Sequence, residues 1–123
     1  MGFQELVQIA QSGDAEAMRQ VAVAYMRGDG VAHDFDKALG WTYSAAEQGN
    51  VDAMAEIADV YRKARMYEEA FLWEEKAANH GRAQSMYNLS VHYRDGLGIP
   101  INEEKQMYWY EKGQENGFHP IGN

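Results

Sequence analysis

The sequence predicts an all-α chain of stacked helix pairs, an α-solenoid, and three observations carry that expectation. Trp41, Trp73 and Trp109 each stand eight residues before a glycine (Gly49, Gly81, Gly117), and Gly13 extends the series, so the glycines are spaced 36, 32 and 36 apart. Met18, Met54 and Met86 keep the same register, and so do Tyr25, Tyr61 and Tyr93. Between these markers the apolar residues recur at helical spacing, with no strand-like alternation. A period of this length marks an array in which each repeat buries its hydrophobic face against its neighbours.

Each repeat reads as two helices. In the first, Ala17, Met18, Val21, Ala22 and Tyr25 follow the i, i+3/i+4, i+7/i+8 stripe, with Asp14 as N-cap. Gly28-Asp-Gly30 breaks that helix, and Asp34 or Asp36 opens the next, which runs through Ala38, Trp41 and Ala45-Ala46 to a left-handed stop at Gly49. The second repeat has Asp52 as cap before Ala53-Met54, Ile57-Ala58 and Tyr61, then a helix from Tyr67 to Asn79. The third has Ser85-Met86, Leu89-Ser90 and Tyr93, a Gly96-Leu-Gly98-Ile-Pro100 loop, and a last helix from about Glu103 to Asn116. Small residues at matched sites (Ala22, Ala58, Ser90) allow close helix approach, and the large aromatics fill the layers. The expected organisation of residues 1–123 is one domain. It comprises an N-terminal helix at 3–12, repeat one at 14–49, a shortened repeat two at 51–81, repeat three at 82–117 and a tail at 118–123. Repeat two is four residues short because Arg62-Lys-Ala-Arg-Met66 replaces the Gly-x-Gly loop.

Composition narrows the function classes. Hydrophobic residues make up 46% and charged residues 24%, as in an ordinary folded protein rather than a disordered one. No apolar run approaches a membrane span, and the opening residues lack a secretory signal. The absence of cysteine excludes disulfides and thiolate metal sites and fits a reducing compartment, so a cytoplasmic location is expected. A net charge of −8 argues against nucleic-acid binding, which needs a positive field along the phosphates, and favours encounter with a basic partner.

The residues also match a known pattern. Ala-x-x-x-Leu/Val-Ala-x-x-Tyr, then Gly-x-Gly-Val, Lys-Ala-x-x-Trp and Ala-Ala-x-x-Gly resemble the SEL-like repeat family, a relative of the tetratricopeptide repeats, over about residues 14 to 117. The resemblance implies a right-handed α-solenoid of about three antiparallel helix pairs plus an N-terminal helix. It also implies first helices on the concave face and a role as a non-enzymatic adaptor or scaffold. Three features depart from the family: the short middle loop, Thr42 where an aromatic usually follows the tryptophan, and Gly113 where alanine is usual. Cysteine-rich bacterial members linked to β-lactam or cell-wall binding carry a disulfide per repeat, and this chain has none, so that activity is not implied.

The residues suggest no chemistry. His33, His80, His92 and His119 lack partners at ligand spacing, so no metal or cofactor site is expected. Glycines 28, 30, 96 and 98 lack the preceding strand and third glycine of a phosphate loop. The pairs Glu68-Glu69, Glu74-Glu75 and Glu103-Glu104 point about 100° apart on a helix and read as solvated faces or first-turn acids, not as a catalytic pair.

The candidate binding residues lie out of register with the core on the first helices: Arg19, Val23, Met26, Arg27, Asp59, Arg62, Lys63, Tyr87, Val91 and Arg94. This face is expected to be near neutral with a basic end, where Arg27, Arg62, Lys63 and Arg94 would clamp a partner's carboxylate. The expected partner is a protein or peptide. The alternative is a small acidic inhibitor or immunity-type protein that blocks a basic partner with Glu68, Glu69, Glu74 and Glu75; a small-molecule binder or enzyme would need a closed pocket. The last helix shows Met107, Tyr108, Trp109 and Tyr110. Either Phe118-His-Pro-Ile121 folds back over it, leaving a monomer, or it supports a weak homodimer.

Overall fold

The computed structural model describes residues 1–119; residues 120–123, including Ile121 of the anticipated fold-back tail, lie outside the described residues. Seven helices are described: α1 (Phe3–Gln11), α2 (Ala15–Arg27), α3 (Phe35–Glu47), α4 (Val51–Lys63), α5 (Tyr67–Asn79), α6 (Ala83–Asp95) and α7 (Glu103–Glu115). They form an all-α chain of the solenoid class, with antiparallel pairs α2–α3, α4–α5 and α6–α7 preceded by α1. The chain divides into two compact units, residues 1–57 and residues 58 onward, with the division inside α4.

In the first unit α1 and α3 both pack on α2. Met18, Val21 and Ala22 of α2 are buried, as are Ala10 of α1 and Ala38, Ala45 and Ala46 of α3. The alanines bring the backbones close, and Phe3 closes one edge with its ring edge-on to Tyr25 at 5.3 Å. In the second unit α5 and α7 both pack on α6. Phe71, Ala78, Met86 and Leu89 form its core, with Tyr93, Ile99 and Trp109 packed against it. The three register tryptophans are half-buried and wall the core from the side rather than lying at its centre.

Helix ends explain the repeated glycines. After α3 the Gly49 N–H reaches the Ala46 carbonyl at 3.0 Å and the Asn50 N–H reaches the Ala45 carbonyl at 3.0 Å. This left-handed stop requires the positive φ of 95° that glycine adopts without strain. The same Ala-Ala-x-x-Gly spacing ends α5, where Gly81 N donates to Ala78 and Arg82 N to Ala77. At helix starts Asp14, Asp34 and Asn102 accept the N3 amide. One expected cap is corrected: α4 is capped by Asn50, whose Oδ1 accepts from Ala53 N at 2.8 Å, while Asp52 lies inside the first turn. Asn50 supplies both the preceding stop and the next start, so the cap falls two residues earlier than the charge pattern suggests.

The two long loops are built alike. Asp34 N donates to the Tyr25 carbonyl and Asn102 N to the Tyr93 carbonyl, both at 3.0 Å, and each residue then caps the following helix. The short turn after α4 works differently: Met66 N donates to the Tyr61 carbonyl at 2.9 Å, and Arg65 takes φ 61°. Arg65 is the one non-glycine residue with positive φ among the described residues. That conformation costs a side chain roughly 1–2 kcal/mol. Arg65→Gly is therefore expected to stabilise the protein by up to about 1 kcal/mol, part of the relief being offset by the freer unfolded chain. Urea unfolding of the two proteins measures it, and a loss of stability would show that the Arg65 side chain contributes contacts outweighing the strain.

Candidate binding face

The ten candidate residues occupy helices α2, α4 and α6, and the structure shows most of their charges already engaged. In the first unit Arg19 is half-buried and forks onto Glu56, with Nε to Oε1 at 3.1 Å and Nη2 to Oε2 at 3.4 Å, and Glu16 lies 3.9 Å away. Glu16 is itself held by Asn50 Nδ2 at 3.1 Å. Val23 is half-buried, while Met26 and Arg27 are exposed at the C-terminal end of α2. Arg27 has no ion-pair partner among the described residues and follows the helix dipole.

In the second unit Asp59 collects Arg62 and Lys63, the latter at 3.0 Å. Burial of Asp59 opposes its ionisation, but the hydrogen bonds from Arg62 and Lys63 prevail and hold its carboxyl below the ordinary range. Arg94 forks onto Asp95, with both bonds at 3.0 Å. Asp95 belongs to α6, so the end of that helix carries an acid beside its base. The anticipated basic end is thus largely neutralised: Arg62, Lys63 and Arg94 each have an acid one to four residues away. Such exposed pairs are worth only about 0–1 kcal/mol each, so they open at little cost for a better partner.

Tyr87 and Val91 are half-buried on α6. Tyr87 is part of a closing layer, its ring 6.1 Å from Tyr110 and 4.8 Å from Phe118. Phe118 N donates to the Gly113 carbonyl at 2.9 Å, which fixes the start of the tail over this layer. Gly113 has its own reason: a Cβ there would lie 3.4 Å from the Ala83 carbonyl and the Tyr87 amide, so its absence relaxes the α6–α7 contact.

Two groups escape the sequence reading. Glu74, read there as a solvated acid, is only 4% exposed. It follows Phe71 by three residues and precedes Ala78 by four, so it lies on the stripe that packs on α6. Burial raises its pKa; Ser85, Asn88 and the charges of Arg82 and Arg62 oppose the shift without cancelling it. Glu74 Oε1 has no hydrogen-bond partner among the described residues. The second group is His92, 2% exposed, whose ring stands edge-on to Phe71 at 5.6 Å. Its Nδ1 lies 2.8 Å from the Leu97 carbonyl, which assigns the proton to that nitrogen and ties α6 to the following loop.

Burial lowers the His92 pKa, and the Leu97 bond only partly counters this. A depressed base contributes stability that is present above its unfolded value near 6.5 and lost as pH falls below it. Glu74 works in the opposite sense: its raised pKa favours the fold below about 4.5 and disfavours it as pH rises. In a Glu74→Gln background the melting temperature is therefore expected to drop from pH 7 to pH 5.5. Adding His92→Gln should flatten that slope, and an unchanged slope would refute the assignment.

A shallow open cavity of about 420 Å³ lies beside α7, lined chiefly by Met86, Tyr108, Trp109, Lys112, Asn79 and Asn116. It offers rings, amides and one cation but no carboxylate or imidazole to work with them. Among the described residues no group of three His, Asp or Glu is arranged to hold a metal, and no helix is long and apolar enough to cross a membrane.

The fold is a helical-repeat architecture of the kind typical of protein–protein interaction scaffolds. The Sel1 repeat matches residues 15–50, 51–81 and 83–118, and the chain belongs to the Sel1-repeat family. It is similar to the crystal structure of a Sel1 repeat protein from Oxalobacter formigenes, with 31% identity, a TM-score of 0.89, and coverage of 94% of this chain and 90% of that one. It is also similar to a protective antigen of uropathogenic Escherichia coli that displays an SLR fold, with 30% identity and a TM-score of 0.86, over 96% of this chain and 26% of the antigen. A chitin synthase regulator of Saccharomyces cerevisiae is 29% identical over 117 residues, 89% of this chain and 17% of the regulator. The chain spans less than a fifth of the length of the curated relatives it matches.

Proposed function

We propose that this chain is a binding module that holds a peptide or protein segment on the outward faces of its first helices. The observation that carries the reading is the state of those faces. Their out-of-register residues are exposed or half-exposed, and their charges are held in short-range pairs that a partner can reopen at little cost. The yeast relative's designation as a regulator agrees with a role exercised by binding.

The test reverses charge on one face while sparing the core. Arg62→Glu with Arg94→Glu is expected to abolish capture of partners from native lysate and leave the helical circular-dichroism signal unchanged. A control, Glu68→Gln with Glu69→Gln and Glu75→Gln, alters the acids of α5 instead. Loss of capture in the control alone would replace this reading with the second one, an acidic surface blocking a basic partner. Residues 1–57 favour that second reading, since they hold nine acids against three bases. In either case we expect a monomer at working concentrations, with Phe118 and Tyr87 closing the α7 layer, and a cytoplasmic protein whose lack of cysteine suits a reducing compartment.

A further inference from the structure

We propose that Glu74 is the receptor for a guanidinium group carried by the bound peptide, an inference that rests on the binding reading above. The repeat register isolates this residue. Thr42, Glu74 and Tyr110 stand at the same position, each directly after the register tryptophan. Thr42 satisfies itself, its hydroxyl donating to the Ala38 carbonyl at 2.8 Å, and Tyr110 packs beside Tyr87. Repeat two alone puts a carboxylate there, 4% exposed and with Oε1 lacking a donor among the described residues. Leaving a buried acceptor in that state is destabilising, which a scaffold built for stability alone would avoid.

The nearby cations are engaged elsewhere. Arg62 is held by Asp59, and Arg82 Nη1 donates to Ser85 Oγ at 2.9 Å. Of the two polar side chains that interact with Glu74, Ser85 is fully buried and Asn88 half-buried, so the cluster is nearer solvent on the Asn88 side. Asn88 Oδ1 accepts from Gln84 Nε2 at 3.0 Å, and both side chains belong to one exposed strip of α6. The guest group would enter by rotation of Asn88 away from Glu74. The donor that suits the opened site is planar, weakly hydrated and able to address both carboxylate oxygens, which describes arginine better than lysine. The net charge of −8 draws such a basic segment toward the chain. His92, the other buried titratable group among the described residues, lies on α6, is spent on the Leu97 carbonyl and does not compete.

The experiment follows the Glu74 carboxyl carbon by NMR in selectively labelled protein while pH is varied. The probes are N-acetyl-arginine amide and N-acetyl-citrulline amide, which has the same shape without the charge. The arginine probe is expected to lower the Glu74 titration midpoint, the citrulline probe to leave it in place, and Glu74→Gln to weaken arginine binding about tenfold or more. An unmoved midpoint with the arginine probe overturns the proposal, and that result needs no variant to fold. So does equal binding by Glu74→Gln. If partner capture fails in Arg62→Glu/Arg94→Glu but survives in Glu74→Gln, the face reading stands and the guanidinium site falls; if neither variant alters capture, both fall.

Discussion

Gly98→Ala is expected to destabilise the protein by about 3 kcal/mol or more, the largest loss expected from adding a methyl at any of its described glycines. Gly98 has φ 76°, and a Cβ built on it would lie 2.5 Å from the Glu68 amide nitrogen and 2.5 Å from the Tyr67 carbonyl carbon. Those atoms are backbone at the start of α5, so no side-chain rotation can make room. The loop would have to lift off, and the His92 bond to the Leu97 carbonyl would be pulled with it. The equivalent substitution at Gly30 provides the comparison. Its Cβ would meet only the Phe3 side chain at 3.7 Å, so it carries just the conformational penalty of φ 73°. Chemical denaturation of both variants measures the difference, and equal losses would show that the contact with α5 contributes nothing.

Glu74→Met is expected to act in the opposite direction, raising stability at pH 7 by about 1–2 kcal/mol. Replacing a buried, poorly satisfied charge by an apolar side chain of similar volume removes a desolvation cost. The sign with pH is part of the expectation. Because the folded pKa is raised, the wild-type residue is tolerated below about pH 4.5 and penalised as pH rises through its folded value. The gain should therefore be larger at pH 7 than at pH 4. The same variant is expected to lose partner capture. A variant that gains stability and keeps full capture would mark Glu74 as a packing defect with no role in binding.

The limits of α5, Tyr67–Asn79, can be read from the sequence to the residue because the turn before it and the Ala-Ala-x-x-Gly stop after it are both local signals. The cap of α4 cannot, since Asn50 and Asp52 are both competent and only the geometry of the preceding stop selects Asn50. Glu74 is misjudged, and the burial of His92 missed, when charge is read before register. Aligned by repeat, Glu74 shares a position with Thr42 and Tyr110, and His92 shares one with Ala24 and Val60; the buried Thr42 and Ala24 mark both positions as inward-facing. The pairing of Arg62 with Asp59 and of Arg94 with Asp95 was visible in the spacing, but whether neighbours on a helix close on each other or extend to a partner depends on side-chain rotamers that spacing does not determine.

The seat of Gly98 against the first turn of α5 also bears on how the second unit opens. A loop whose backbone lies against another helix cannot exchange its amide protons independently of that helix. The Leu97 amide, bonded to the His92 carbonyl, and the Asn102 amide, bonded to the Tyr93 carbonyl, are thereby linked to the start of α5. Native-state hydrogen exchange should thus report one common opening free energy for the end of α6, the loop and the first turn of α5: a single cooperative foldon rather than a surface loop fraying on its own.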